Sequence, residues 1–135
     1  MIYILGISGS PRVNGNTEIL LSEALKAAAM DGAETELISL AGKEIKPCDA
    51  CFSCRKTGEC RIKDDFKEIF QKMVKADGLI LASPVYFGSA TPKIKALIDR
   101  AALISMARGD IFENKVGGPL IVARRAGQNF TLAQL

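Results

Sequence analysis

The four cysteines of the chain follow the pattern Cys48-x2-Cys51-x2-Cys54-x5-Cys60. Disulfides between residues so close in sequence would strain the backbone and the S–S torsion. Thiolates at this spacing can instead bind a metal centre. The chain contains no histidine, which excludes imidazole as a ligand, a general base or a pH switch. The sequence therefore predicts a thiolate metal centre and chemistry that depends on a cofactor.

A second group of polar residues, between positions 8 and 17, follows the first apolar run of the chain. Backbone N–H groups and the helix dipole favour an anion at a strand-to-helix junction. The segment lacks the three spaced glycines of a dinucleotide loop and the Gly-Lys-Ser/Thr of a P-loop, so a single phosphate monoester fits it better. An ordinary polar turn is the alternative. We expect the phosphate site to consist of Ser8, Ser10, Pro11, Arg12, Asn14, Gly15, Asn16 and Thr17.

Predicted strands and helices alternate along the chain. Apolar runs predict strands at 1–8, 34–40, 79–83 and 118–124, and helical spacing predicts helices at 16–30, 65–74 and 92–106. Asp64 or Asp65 is the expected N-cap of the second of these helices, with Glu68 completing a capping box for Asp65, and Thr91 is the expected N-cap of the third. This alternation is typical of a doubly wound, parallel α/β sheet, whose ligands lie at the carboxyl ends of its strands.

Length and composition indicate one domain, residues 1–135, that carries a cysteine-rich loop at 47–61. The net charge of +3 is too small to indicate a nucleic-acid partner. We expect no membrane span and no signal peptide, and clustered cysteines favour a reducing cytoplasm. Residues 128–135 are typical of a helix that stops in mid-pattern with no fifth strand after it, so we expect a C-terminally truncated domain.

Gly6-x-Ser8-Gly9-Ser10-Pro11-Arg12 with Gly15-Asn16-Thr17 resembles the first FMN-binding loop of the NADPH-dependent FMN reductase and flavodoxin-like superfamily. The segment 83–88 resembles its second loop, and 91–100 resembles the helix that follows. The resemblance covers essentially the whole chain. It implies a flavodoxin-like sheet of order 2-1-3-4, with a fifth strand missing from this chain, and FMN as the cofactor.

The resemblance also implies which residues lie beside the flavin ring. Arg124, in a third loop after the fourth strand, would lie at the pyrimidine end and stabilise negative charge on the reduced flavin. Core packing is the alternative role for the two aromatic residues of the second loop. The second-loop residues expected to contact the ring are Pro84, Val85, Tyr86, Phe87 and Gly88.

The cysteine segment is similar to that of the iron–sulfur flavoprotein family, in which it holds a 4Fe-4S cluster. Cys48, Cys51, Cys54 and Cys60 match that motif one for one. Structural zinc and unliganded thiols remain alternatives, although zinc sites more often separate two C-x2-C pairs by a longer stretch. Basic residues surround the cysteines, as an anionic cluster would favour, at Lys46, Arg55, Lys56, Arg61 and Lys63.

These expectations describe an oxidoreductase that passes single electrons between a 4Fe-4S cluster and FMN, and on to a small-molecule or protein acceptor. The resemblance implies a homo-oligomer, a dimer or tetramer, in which the cluster of one subunit approaches the flavin of another. The electron donor would be a ferredoxin or NAD(P)H. Alternatives are an NAD(P)H-dependent FMN or quinone reductase with zinc or free thiols at the cysteines, and a non-enzymatic FMN-binding module.

Overall fold

The computed structural model describes residues 1–135, along which strands and helices alternate. The first helix ends at Met30 because Asp31 and Gly32 follow, and Gly32 adopts the left-handed φ of +90° that glycine accommodates. No helix has the length and apolar character needed to cross a membrane. The elements are β1 (Tyr3–Ser8), α1 (Asn16–Met30), β2 (Glu34–Ser39), α2 (Cys54–Thr57), α3 (Phe66–Lys75), β3 (Gly78–Pro84), α4 (Pro92–Ala107), β4 (Val116–Val122) and α5 (Gln128–Gln134).

The four strands form one parallel sheet in the order β2-β1-β3-β4. Ser8 of β1 pairs with Ser39 of β2 and with Ala82 of β3, so the carboxyl ends of these strands lie side by side. The predicted α/β class and the order 2-1-3-4 are confirmed. The loops after β1, β3 and β4 consequently meet at one edge of the sheet.

Helices cover both faces of the sheet. On one face, Leu21 and Leu25 of α1 pack against Ala82. A Cβ atom on Gly6 would lie 2.8 Å from the Cδ1 atoms of both leucines, so glycine lets α1 approach β1 closely. On the other face, Leu5 and Ile7 belong to the larger core shared with α3 and α4. Burial of β1 from both sides explains its nearly continuous apolar sequence.

Some local predictions were wrong. The fourth strand was expected at 118–124 but spans Val116–Val122, so Arg124 lies in the loop after it. The Asp65 carboxylate does not cap α3; it accepts the Glu44 N–H at 2.6 Å instead. Thr91 is the N-cap residue of α4, as predicted, although its hydroxyl makes no capping bond. The sequence analysis also missed α2, the single turn of helix inside the cysteine segment.

Candidate functional site

The predicted phosphate loop begins with serine hydroxyls that are already oriented by the backbone. The Oγ of Ser8 accepts the Ser10 N–H at 3.3 Å, and the Oγ of Ser10 accepts the Arg12 N–H at 3.1 Å. Ser8, Ser10 and Thr17 are buried. Because each serine oxygen accepts a backbone bond, its own hydrogen remains available to an anion. The loop thus offers short, fixed donors directly after β1.

The N-terminus of α1 completes this anion-binding geometry. Gly15 is the N-cap residue and provides no side-chain cap, so the first N–H groups of the helix have no side-chain partner from that position. The buried Glu18 carboxylate accepts the Asn14 N–H at 2.7 Å and also contacts the Ser39 hydroxyl, which ties the loop to β2. Pro11, Arg12, Asn14 and Asn16 are exposed, while Gly15 is half-buried. The exposed Arg12 guanidinium can therefore approach a bound phosphate from solvent.

The phosphate loop is braced against β3 and α4. The Gly9 N–H donates to the Ala82 carbonyl at 2.7 Å, and the Thr91 hydroxyl donates to the Gly9 carbonyl at 2.7 Å. A Cβ on Gly9 would lie 2.7 Å from Cβ of Ile94, so only glycine allows this approach. Thr91 is therefore both the N-cap residue of α4 and the residue that ties the first loop to the start of this helix.

The second loop follows β3 and is a tight turn that presents its aromatic residues to solvent. The N–H of Tyr86 donates to the carbonyl of Ser89 at 2.8 Å and the Ser89 N–H donates back at 3.1 Å. Phe87 and Gly88 between them have φ of 49° and 79°, as such turns require. Tyr86 is 44% exposed and Phe87 is fully exposed, so core packing does not explain either residue. Pro84 and Val85 are half-buried at the base of the turn.

The third loop packs directly on the second. Val85 donates its N–H to the Val122 carbonyl at 2.9 Å. Gly127 has φ +96°, and a Cβ there would lie 2.7 Å from Cγ1 of Val85 and 2.8 Å from Cα of Gly88. Arg124 is exposed on this loop. The structure therefore brings the predicted flavin residues of the second and third loops to one edge of the sheet.

Helix α5 also holds the second loop, through a residue that sequence analysis missed. The Oε1 atom of Gln134 accepts the Ala90 N–H at 2.8 Å and the Ser89 hydroxyl at 3.0 Å. These bonds anchor the turn that carries Tyr86 and Phe87. A glutamine near a helix end carries no signal of such a long-range contact, because it is equally common on solvated surfaces.

The four cysteines line one cavity and all four are free thiols. Cys48 and Cys51 are exposed, whereas Cys54 and Cys60 are half-buried against the main core. The residues between them turn the chain sharply, since Ala50 and Phe52 have left-handed φ of 54° and 55°. The Ala50 N–H donates to Sγ of Cys48 at 3.4 Å. Backbone donors to cysteine sulfur are a feature of iron–sulfur sites. The four cysteines are Cys48, Cys51, Cys54 and Cys60.

Polar neighbours favour the thiolate form of Cys51. The Ser53 hydroxyl, 3.3 Å from Sγ, is the main cause of a lowered Cys51 pKa, and the Ser53 N–H and Arg61 add to it. Arg61 also pairs with Asp49, on the surface of the segment. Thiolates are the form of cysteine that binds metals. The segment therefore carries polar groups that stabilise the Cys51 thiolate.

A buried arginine forms the inner wall of the cysteine cavity. Arg100 of α4 lines this cavity, and its side chain is 1% exposed. Its Nη2 lies 3.3 Å from Sγ of Cys60, and its Nε, also buried, has no partner. Burial alone would lower the Arg100 pKa, but bonds to Asp64 and Cys60 raise it above the usual value. The sequence does carry a signal of this burial, because Arg100 lies on the apolar face of α4 between Leu97 and Ile104.

The side chains around the cavity limit the kinds of group that it could hold. No three Cys, Asp or Glu side chains lie close enough together to bind a single metal ion as they stand. Four free cysteine thiols are the ligand set of both a tetrahedral zinc site and a four-iron cluster. The buried Nε of Arg100, which has no partner, and its Nη2 beside Cys60 fit an anionic group at this wall.

The chain is similar to known proteins over nearly its whole length. The family model described as NADPH-dependent FMN reductase matches residues 2–135. An iron-sulfur flavoprotein of Methanocaldococcus jannaschii is 49% identical over 134 residues, which cover 98% of this chain and 68% of the relative.

Two solved structures share the fold. RosB, with a bound 8-demethyl-8-formylriboflavin-5'-phosphate intermediate, superposes with a TM-score of 0.79 at 22% identity, over 98% of this chain and 56% of that one. An NADH:FMN oxidoreductase in its apo form gives a TM-score of 0.69 at 26% identity, over 98% of this chain and 64% of that one. The chain thus spans less than two thirds of either solved protein.

Proposed function

Because the chain belongs to the NADPH-dependent FMN reductase family of flavin-dependent oxidoreductases, we propose that it is an iron–sulfur flavoprotein. In this proposal residues 1–135 form one FMN-binding domain, and the loop 47–61 holds a 4Fe-4S cluster. The cluster supplies one-electron transfer, and the flavin accepts one or two electrons for a small-molecule or protein acceptor. The observation that carries the proposal is that all the cysteines of the chain line one cavity as free thiols.

The FMN site proposed here is divided between the loops at the carboxyl edge of the sheet. The oriented hydroxyls of Ser8 and Ser10, together with the N-terminus of α1 and Arg12, would bind the phosphate. The turn 84–88 would lie along the isoalloxazine ring, because its exposed aromatic side chains offer apolar surface there. Arg124 would lie near the pyrimidine end of the ring, where a cation stabilises added negative charge.

The cluster site proposed here uses Cys48, Cys51, Cys54 and Cys60 as its four ligands. The compact spacing of the cysteines favours a cluster over zinc, because zinc sites more often separate two C-x2-C pairs by a longer stretch. The N–H of Ala50 and the Nη2 of Arg100 already lie within hydrogen-bonding distance of ligand sulfurs. Such donors stabilise the negative charge that a cluster with four thiolates carries.

A nicotinamide-dependent flavin reductase is the second candidate, favoured by the family description. In it NAD(P)H reduces the flavin directly, and the cysteines hold zinc or remain free. In the first candidate the donor is a ferredoxin or NAD(P)H. In both the working form is a homo-oligomer, which would cover the exposed Tyr86 and Phe87.

The deciding experiment is measurement of iron and acid-labile sulfide in protein purified without oxygen. About four of each per chain, with broad absorption beside the flavin bands, are expected. Cys54→Ser should lose the iron and keep FMN, whereas Lys56→Ala, at an exposed position of the same short helix, should keep both. Zinc or no metal in the unaltered chain, with flavin bleached by NAD(P)H alone, would select the second candidate. Iron retained by Cys54→Ser would refute the ligand assignment.

A further inference from the structure

We propose that Arg100 is a positioning residue for the metal centre. It fixes both ends of the cysteine segment against α4 and donates a hydrogen bond to Sγ of Cys60, and this bond raises the potential of the centre. The effect on the potential rests on the proposed iron–sulfur function. The attachment of the cysteine segment to α4, called the clamp below, does not, because protein groups alone make its hydrogen bonds.

The clamp is built on a buried ion pair. The Nη1 and Nη2 atoms of Arg100 bind the two carboxylate oxygens of Asp64 at 2.6 and 3.0 Å, and the two side chains are 1% and 0% exposed. The Arg100 guanidinium also lies 4.0 Å from the ring centre of Phe66. A bidentate pair that is stacked on a ring holds the guanidinium plane in one orientation.

This orientation lets the pair grip the start of the cysteine segment. The Nη1 atom of Arg100 donates to the Lys46 carbonyl at 3.0 Å, and Asp64 accepts the Lys46 N–H at 2.8 Å. Both backbone groups of Lys46 are therefore bound by the same ion pair, two residues before Cys48. Lys46 itself is exposed, so its side chain does not supply this attachment.

The same guanidinium holds the end of the segment. With its other hydrogen engaged by Asp64, the Nη2 atom shares its remaining hydrogen between Sγ of Cys60 at 3.3 Å and the Ile62 carbonyl at 3.4 Å. Asp64 also accepts a hydrogen bond from the Phe66 N–H at 3.2 Å, beyond the last cysteine. The segment 46–66 is thereby closed at its base by one ion pair.

The effect on the metal centre comes from the hydrogen bond more than from net charge. Asp64 balances the charge of Arg100, so the pair is neutral as a whole. An N–H directed at a ligand sulfur still stabilises added negative charge there, and this favours the reduced state of the centre. Loss of that bond should lower the midpoint potential even where the positive charge is kept.

Arg100→Lys is more informative than a neutral substitution at this position. A neutral side chain would leave the Asp64 carboxylate buried and unpaired, and that alone could unfold the protein. Lysine keeps the charge but is a single point donor on a shorter side chain, and it cannot serve Asp64, Lys46 and Cys60 together. The matched control is Arg55→Lys, the same exchange at an exposed residue beside Cys54. Arg55 stacks on Phe52 and makes no bond to a ligand sulfur.

Two measurements on the full chain test the proposal. In the iron-free chain, Arg100→Lys should speed amide hydrogen exchange in 46–66 by about tenfold, without a change in β1 or β3. In the iron-loaded chain it should lower the midpoint potential, and Arg55→Lys should match the unaltered chain in both measurements. Loss of iron from Arg100→Lys together with faster exchange also supports the clamp.

Other outcomes overturn the proposal in separable ways. If amide hydrogen exchange in 46–66 is unchanged in Arg100→Lys, with or without iron, Arg100 does not fix the segment against α4. An unchanged midpoint potential in Arg100→Lys would show that the bond to Cys60 does not affect the centre. Equal shifts of the potential in both variants would show that the effect is not specific to Arg100. If the unaltered chain binds no iron, the proposed function fails, while the exchange experiment still decides whether Arg100 holds the segment.

Discussion

The contact between Gly127 and the turn 84–88, which we propose lies along the flavin ring, leads to a quantitative prediction about FMN binding. In Gly127→Ala the new Cβ would lie 2.7 Å from Cγ1 of Val85 and 2.8 Å from Cα of Gly88. The valine side chain can rotate, but the Gly88 backbone can move only if the turn 84–88 moves with it. The perturbation therefore acts on the loop that we place along the flavin ring.

The chain offers a matched control for the backbone strain at this position. Gly127 has φ +96° and Gly32 has φ +90°, but a Cβ on Gly32 meets no atom within 4 Å. Alanine in this conformation costs about 1 kcal/mol in both variants. Overpacking adds about 1 to 3 kcal/mol in Gly127→Ala alone. If the free protein relieves this strain by displacing the turn, FMN binding should weaken by about 5- to 150-fold relative to Gly32→Ala.

Flavin titration measures this difference directly. FMN and riboflavin affinities are determined for both variants and the unaltered chain, with urea unfolding as a check on stability. Both variants should lose about 1 kcal/mol of unfolding free energy or more, and only Gly127→Ala should bind both flavins more weakly. Equal FMN affinities in the two variants would show that the turn 84–88 does not contact the flavin, and would refute the site.

Further predictions concern the phosphate loop, the brace and the buried ion pair. Arg12→Ala should weaken FMN by about tenfold and leave riboflavin binding unchanged, because the lost group is a charged phosphate partner; equal losses would contradict that role. Thr91→Val removes the buried bond to the Gly9 carbonyl and should reduce the unfolding free energy by about 1 to 3 kcal/mol in urea titrations; no reduction would show that the brace is not needed. Burial alone would raise the Asp64 pKa, but its bonds to Arg100 and to backbone N–H groups hold it below the usual value, so its stabilisation is present above about pH 4 and is lost as the pH falls through the folded pKa. The stability gap between the unaltered chain and Asp64→Asn should therefore narrow in acid, and a constant gap would contradict this assignment.

The sequence predicted the sheet well because the inner strand β1 is buried on both faces and has a nearly continuous apolar sequence, Tyr3–Ser8. The edge strands β2 and β4 are mostly half-buried or exposed, but a helix or a loop separates each strand from the next. The boundaries of β4 were less accurate, since Gly117, Gly118 and Pro119 weaken its apolar pattern. The sequence also predicted where the candidate cofactor loops begin, because glycine, serine and proline are concentrated at those positions.

The sequence could not predict the contacts that fix those loops, since they join residues far apart in the chain. Arg100 and Asp64 are 36 residues apart, and Thr91 and Gly9 are 82 apart. A charged residue among apolar ones on α4 does signal burial, but it does not identify its partner. Arg61, one of the basic residues near the cysteines in sequence, contributes to the lowered Cys51 pKa, whereas the buried arginine beside Sγ of Cys60 comes from α4.

Helix α4 explains why the two candidate cofactor sites occur together in one small domain. At its N-terminus Thr91 bonds to the carbonyl of Gly9 in the phosphate loop, and nine residues later Arg100 bonds to Sγ of Cys60. Nine residues of α-helix span about 14 Å. Because the helix is buried between these points by Ile94 and Leu97, it cannot shift at one end without moving the other. The separation of the phosphate loop from the cysteine cavity is therefore set by the core of the domain and not by the surface loops that carry the ligands.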